Sequence, residues 1–220
     1  MLKYPCLVLD HDDTVVQTMK TQSHPFFCYV LSQFRPGETI TLAEYAKACH
    51  DYGFVELCRG RYGFTEEELA HEHSIWKEYV LSHTPEIYPG IDRIIRRQKE
   101  EGGLVCVVSH SGEANISRDY LSHIGFLPDA IYGWDLPEEK RKPNPYPLLE
   151  IMKKYNLEPT DLLLVDDMKL GVNMAKPLGV KVGFAAWDDM GVPELGAEMT
   201  DLCDFQFNTV EDLEALLFEV

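Results

Sequence analysis

"CLVLDHDDTVVQT", residues 6–18, decides how the rest of the chain is read. Four residues of an apolar run, Cys6 to Leu9, end in three carboxylates within four positions: Asp10, Asp12 and Asp13. The run is too uniform for a half-exposed strand and too short for a helix, so it reads as a buried parallel strand. Like charges this close repel one another, and a fold keeps them together when a cation or a reacting group faces them. Acidic residues also suit the loop after a strand, where they cap turns and helices. The triplet alone leaves both readings open, and the remaining chain separates them.

Similar apolar runs recur at 104–108 (LVCVV), 162–165 (LLLV) and 180–185 (VKVGFA), with a weaker one at 130–133 (AIYG). Helical stretches lie between them: GIDRIIRRQKEEG, SRDYLSHIG, PYPLLEIMKKYN and GVNMAKPLG. The alternation predicts an α/β fold, a doubly wound parallel sheet. From about 17 to 86 the alternation breaks, and the segments HPFFCYVLSQF, TLAEYAKACHDYG and TEEELAHEHSIWKEYVLSH read as helices only. Thr41 and Thr65 suit N-caps, and Thr65 with Glu68 has the spacing of a capping box. The predicted organisation is a core made of 1–16 and 86–220, with a helical insert at 17–85.

Composition narrows the partners. Hydrophobic residues make up 45% of the 220, within the globular range, and the formal charge is −17. A chain that acidic repels phosphate backbones and anionic membranes, so neither nucleic acid nor a lipid surface is an expected partner. A small anionic substrate then needs a local positive site or a metal. No apolar stretch approaches the ~18 residues that would span a bilayer. The first strand starts almost at Met1, which leaves no room for a leader peptide, and the six cysteines form no C-x-x-C pair. These features predict a reduced, cytoplasmic protein.

In an open parallel sheet, ligands bind beyond the carboxyl ends of the strands. After the first run come Asp10, His11, Asp12, Asp13 and Thr14; after the second, Ser109, His110 and Ser111; after the third, Asp166 and Asp167. Arg141-Lys142-Pro143 precedes the helix that leads to the third run. Carboxylates, a hydroxyl and a lysine thus converge on one edge of one sheet.

These residues resemble the haloacid dehalogenase-like hydrolases, most of which are phosphatases. The match runs through four motifs in order: D-x-D-x-T at 10–14, an apolar strand ending in Ser109, Lys142 followed by Pro, and the acidic pair 166–167. The insert's place is like that of the cap found after the first motif in one branch of the family. The resemblance implies that Asp10 is the nucleophile forming an aspartyl phosphate and that Asp12 is the acid that protonates the leaving oxygen, then the base that activates water. It implies that Ser109 and Lys142 bind the phosphoryl group. It further implies Mg²⁺ on Asp10, the backbone carbonyl of Asp12, and Asp167, with Asp166 acting through water. The implied substrate is a small phosphorylated metabolite. Asp13 stands where many relatives have Gly, and Asp is among the residues that best tolerate positive φ.

Asp12 also selects the reaction. Relatives that cleave carbon–halogen or phosphorus–carbon bonds lack an Asp there, so cleavage of a phosphomonoester with an oxygen leaving group is expected. A sugar-phosphate mutase like β-phosphoglucomutase is the alternative, with Arg59 and Arg61 in CRGRYGF (58–64) able to hold a second phosphate. A non-catalytic receiver-like module that binds Mg²⁺ and a phosphoryl group is the alternative from another class, but such modules carry their acidic pair at the first strand and have no insert. His110 could touch substrate or sit at the surface. Lys20, His24, His71, His73 and Trp76 of the insert are open to either packing or substrate contact. His71 and His73, two apart on a helix, do not share a face and make a poor metal pair.

Overall fold

The computed structural model describes residues 2–188 and 190–218. They form one parallel sheet of six strands: β1 (Cys6–Leu9), β2 (Leu104–Val108), β3 (Ala130–Tyr132), β4 (Leu162–Asp166), β5 (Lys181–Ala185) and β6 (Phe205–Phe207). Their order is β3-β2-β1-β4-β5-β6. The strand that carries Asp10 is therefore central, paired in register with β2 on one side and β4 on the other. Five strands lie where apolar runs predict them. β6 is an addition: three residues at the sheet edge, only one of them buried, too short and too exposed to read as a run.

Between β1 and β2 the chain is helical: α1 (His24–Phe34), α2 (Leu42–Asp51), the short α3 (Phe54–Glu56) and α4 (Glu66–Ser82). Thr41 and Thr65 both close capping boxes, with Glu44 and Glu68, which satisfies two otherwise orphaned backbone donors at each helix start. Around the sheet lie α5 (Ile91–Glu100), α6 (Glu113–His123), α7 (Tyr146–Tyr155), α8 (Lys169–Ala175), α9 (Pro193–Leu202) and α10 (Val210–Phe218).

Alternation along the strands separates two cores. Leu7, Leu9, Val105, Val107, Leu163 and Val165 point to the face covered by α5, α6 and α10. Cys6, Val8, Cys106, Val108, Leu162 and Leu164 point to the face covered by α7, α8 and α9. Each fully buried aliphatic side chain there contributes about 1.5–3 kcal/mol. The insert has a third core, an aromatic one in which Phe27 packs against Tyr45, Phe54 and Tyr62.

The chain enters and leaves the insert at one place. Gln17 N–H donates to the Glu86 carbonyl at 2.8 Å, and Tyr88 N–H to the Val15 carbonyl at 3.0 Å. Asp13 turns the chain into this hinge with φ of +56°, the left-handed conformation that Asp tolerates. Its buried carboxylate accepts from Thr18 N–H, the Thr18 hydroxyl and Met19 N–H, so Asp13 anchors the first turn of the insert.

One acid in the insert is out of place. Glu72 on α4 is 6% exposed, and burial pushes its carboxyl up to about 7. An unfolded Glu titrates near ~4.3, so the folded state holds an extra proton between these values. The stability that this proton confers is complete below the unfolded pKa and is lost as pH rises through about 7. Glu72→Gln should therefore stabilise the protein at pH 8 by about 1–3 kcal/mol and change little at pH 4. Thermal melts of both proteins across pH check this; an equal difference at every pH would contradict it.

Candidate active site

The parallel sheet brings the predicted residues to one edge. Asp10 N–H donates to the Val165 carbonyl at 2.9 Å, holding the Asp10 loop to the end of β4, and Ser109 N–H donates to the Tyr132 carbonyl at the end of β3. Asp10, Ser109, Lys142 and Asp166 are all buried.

Lys142 is the hub. Its ammonium lies 2.9 Å from Asp10 Oδ1 and 2.9 Å from Asp166 Oδ2. Burial alone would favour the neutral amine, but the two carboxylates outweigh it and hold the pKa above the ordinary lysine value. His110, half-buried, accounts for part of the lysine's placement. Its Nε2 lies 2.6 Å from the Lys142 carbonyl and its ring meets Trp134 edge-on. Burial, followed by the Lys142 charge, lowers the His110 pKa.

The acidic pair divides its labour. Asp166 has both oxygens committed: Oδ2 to Lys142, and Oδ1 to Met168 N–H at 2.9 Å. Gly171 in α8 makes room for it, since a Cβ there would fall 2.1 Å from Asp166 Oδ2. Asp167 is different, because its Oδ1 is buried with no hydrogen-bond partner. Burial, then the charges of Asp10, Asp166 and Asp13, hold its carboxyl well above the usual carboxylate range. Oxygens of Asp10, Asp166 and Asp167 lie within 4.8 Å of one another. Three oxygen donors, one of them orphaned, form a donor set that fits a hard divalent cation. A second His/acid group, His50, Asp51 and Glu198, has both carboxylates neutralised by lysines, Asp51 by Lys47 and Glu198 by Lys169, although His50 Nδ1 is buried without a partner.

Asp12 stands apart from this cluster. Its Oδ2 accepts the Ser111 hydroxyl at 2.6 Å. Burial raises its pKa, Asp10 adds to the rise, and His11 opposes it. A carboxyl kept neutral longer than usual suits a proton donor. Ser109 Oγ accepts from Ser111 N–H at 3.1 Å, so the two serines form one turn beside Asp10 and Asp12.

Two cavities flank the carboxylates. One of about 370 Å³ opens beside Asp167 and Asp13, over Phe184, Met190 and Leu195. The other, about 20 Å³, lies where the insert meets the core, between Trp76 and Gln22 on one side and Asp12, Ser111, Asn115 and Arg118 on the other.

The insert residues singled out from sequence divide. Trp76 lines the smaller cavity, His73 faces Trp134 on the core, and Lys20 pairs with Asp188 across the interface. His71 packs on Phe34, away from His73, and His24 bonds the Ile40 carbonyl inside the insert. Arg59 and Arg61 lie in the segment Leu57–Arg61 and pair at the surface with Glu66 and Glu44. Sequence reasoning missed His11, Asp119 and Arg118. His11 Nε2 is 3.0 Å from Asp119 Oδ2, with both residues buried, and the Arg118 Nε–H donates to Asp119 Oδ1 at 2.8 Å. Partners 108 positions apart leave no local signal.

Comparison with known proteins gives the family and the fold. Residues 7–185 match the family model described as haloacid dehalogenase-like hydrolase. The bifunctional riboflavin kinase/FMN phosphatase of Arabidopsis thaliana is 36% identical over 96 residues, covering 43% of this chain and 25% of that protein. Phosphoglycolate phosphatase 1 of Pseudomonas aeruginosa is 31% identical over 123 residues, covering 54% of this chain and 44% of that protein. The chain thus spans less than half the length of these relatives. A Lactobacillus plantarum structure assigned as a phosphoglycolate phosphatase superposes with a TM-score of 0.79 at 22% identity, over 97% of this chain and 99% of that one. CbbY from Rhodobacter sphaeroides, in complex with phosphate, gives 0.70 at 16% identity, over 95% of each chain. These superpositions establish a shared fold.

Proposed function

Because the chain belongs to the haloacid dehalogenase-like hydrolases, we propose that it is a Mg²⁺-dependent phosphatase acting on a small phosphomonoester through an aspartyl phosphate. The observation that carries this reading is the shared ammonium: Lys142 sits 2.9 Å from both Asp10 and Asp166, at the edge where Ser109, Asp12 and Asp167 also converge.

A phosphate ester resists attack because its oxygens are anionic, so the site must supply positive charge, a nucleophile and a proton source together. In this reading Asp10 attacks phosphorus and forms the covalent phosphoryl carboxylate. Lys142 places fixed charge on the phosphoryl oxygens without having to move, and Ser109 donates to one of them. Asp12 gives its proton to the departing alkoxide, then takes one from the water that attacks the aspartyl phosphate. Asp10, the Asp12 carbonyl and Asp167 would hold Mg²⁺, while Asp166, with both oxygens already bonded to protein donors, would act through water. When bound, the ion neutralises charge on the phosphoryl group and on the carboxylates around it. The insert, in this reading, is a cap that covers residues 17–85 of the chain and excludes water from the site. The cavity of about 20 Å³ beside Asp12 has room for about one water, so in this reading the cap must move to admit an ester.

The Pseudomonas aeruginosa relative's name makes 2-phosphoglycolate the first ester to test, followed by FMN and sugar phosphates. The relatives named as phosphatases favour hydrolysis over the mutase reaction. Six free cysteines fit a reducing cytoplasm. Among the described residues no helix is long and apolar enough to cross a membrane.

The test is phosphate release from this panel with Mg²⁺ and then with excess EDTA. Chelation should lower the rate by about 10²-fold or more, since the ion supplies several kcal/mol of charge stabilisation, and added Mg²⁺ should restore it. Undiminished turnover in EDTA would reject the metal assignment.

A further inference from the structure

The mechanism leaves one buried charged group without a task. Asp119 on α6 is 2% exposed, so its carboxyl depends on partners from the protein. Two partners do this, and they reach toward different parts of the molecule. His11, which sits between Asp10 and Asp12, is held with its Nε2 3.0 Å from Asp119 Oδ2, and its ring stacks on Tyr120. Arg118 donates from Nε to Asp119 Oδ1 at 2.8 Å, and its Nη1 donates across the interface to the Val80 carbonyl.

Val80 lies in the last turn of α4, where carbonyls lack helical partners and a cation is favoured by the helix dipole. Only one further bond to this carbonyl is present, from His83 N–H at 3.3 Å. The Arg118–Val80 contact exists only while the insert rests against the core. The His11 carbonyl, in turn, receives Val15 and Val16 N–H, at 2.9 and 3.1 Å, and so fixes the turn on which Asp12 stands. Asp12, Arg118, Asp119 and Val80 line one small cavity.

We propose that Arg118 and Asp119 are positioning residues: through Val80–Arg118–Asp119–His11, closure of the insert sets the orientation of Asp12 toward the leaving oxygen. The proposal rests on the phosphatase reading for its effect on rate, but the link itself is a property of the fold. With the insert open, Arg118 has only Asp119, the His11 ring loses a fixed partner, and the Asp12 turn loosens. With the insert closed, the acid is aligned at the moment the leaving group is enclosed.

The experiment compares esters that need the acid to different degrees. An alkyl phosphate such as 2-phosphoglycolate must have its leaving oxygen protonated, whereas 4-nitrophenolate leaves readily without a proton. Arg118→Ala and Asp119→Asn should each lower kcat/KM for the alkyl ester by about 10–100-fold and for 4-nitrophenyl phosphate by less than about 3-fold. Arg118→Lys should recover part of the loss. A merely structural role would lower the melting temperature and depress both esters alike, which would overturn the proposal. Loss in Arg118→Ala without loss in Asp119→Asn would also overturn it, by making Arg118 a direct substrate contact.

A second readout does not depend on activity. Amide hydrogen exchange at His83 and the last turn of α4 should quicken by about 10-fold in both Arg118→Ala and Asp119→Asn. Unchanged exchange would break the link whatever the kinetics show. If the wild-type protein hydrolyses no ester, the phosphatase reading fails by itself and exchange still decides whether the relay exists.

Discussion

Asp10→Asn is expected to abolish turnover. The amide is nearly isosteric, so the loop that Asp10 N–H ties to Val165 should keep its place, and Lys142 retains Asp166 as a partner. Chemistry fails for two reasons at once. The amide oxygen is a poor nucleophile toward phosphorus, and the cluster of Asp10, Asp166 and Asp167 loses one anionic donor. Removing a covalent nucleophile costs on the order of 10⁵–10⁶-fold, leaving only binding and fixed charge to act. Initial rates on the best ester, with a melting curve to show that the variant is folded, give the answer. A variant that kept most of its activity would show that Asp10 is not the attacking group.

Asp12→Ala should lose about 10²–10⁴-fold, the usual worth of a positioned acid–base group. The loss should not fall evenly on the two half-reactions. With 4-nitrophenyl phosphate the first step needs little acid, so Asp10 should still be phosphorylated. Hydrolysis of the aspartyl phosphate needs the base and should stall. The expected result is a burst of nitrophenol close to one equivalent per site, followed by slow release. The Ser111 hydroxyl, which now donates to Asp12 Oδ2 at 2.6 Å, loses that acceptor, so some stability should be lost as well. A uniform slowing without a burst would contradict this, by showing that the first step depends on Asp12 even with a good leaving group.

What could be read without coordinates follows from how locally each feature is encoded. Leu7, Val8 and Leu9 announce a strand buried on both faces because each neighbour in the chain is apolar, and the same holds for β2, β4 and β5. Thr41 and Thr65 announce helix starts because the capping glutamate is three residues away. The roles of Asp10, Ser109, Lys142 and Asp166 are those that the family resemblance implies; the ends of β1, β2 and β4 carry three of these residues to one edge of the parallel sheet, and Lys142 reaches it from the loop before α7. Long-range features were not legible. β6 exists because β5 offers it an edge, and α9 and α10 were not read at all. The assignment of Asp166 to Lys142, against the orphaned oxygen of Asp167, depends on rotamers and not on spacing. Gly171 carries no message until Asp166 is placed beside it. His110 is open in sequence to substrate contact or the surface, and its ring meets the Lys142 carbonyl instead.

The hinge of Val15, Gln17, Glu86 and Tyr88 has an evolutionary consequence. Because Gln17 and Glu86 are one hydrogen bond apart, everything between them hangs from the sheet as a pendant. A pendant of that kind can be lengthened, exchanged or trimmed without rethreading a single strand of the sheet. Insertions and deletions there leave the strand order intact, and the side-chain bonds of Asp13 and Arg118 carry their effect back to the strand ends.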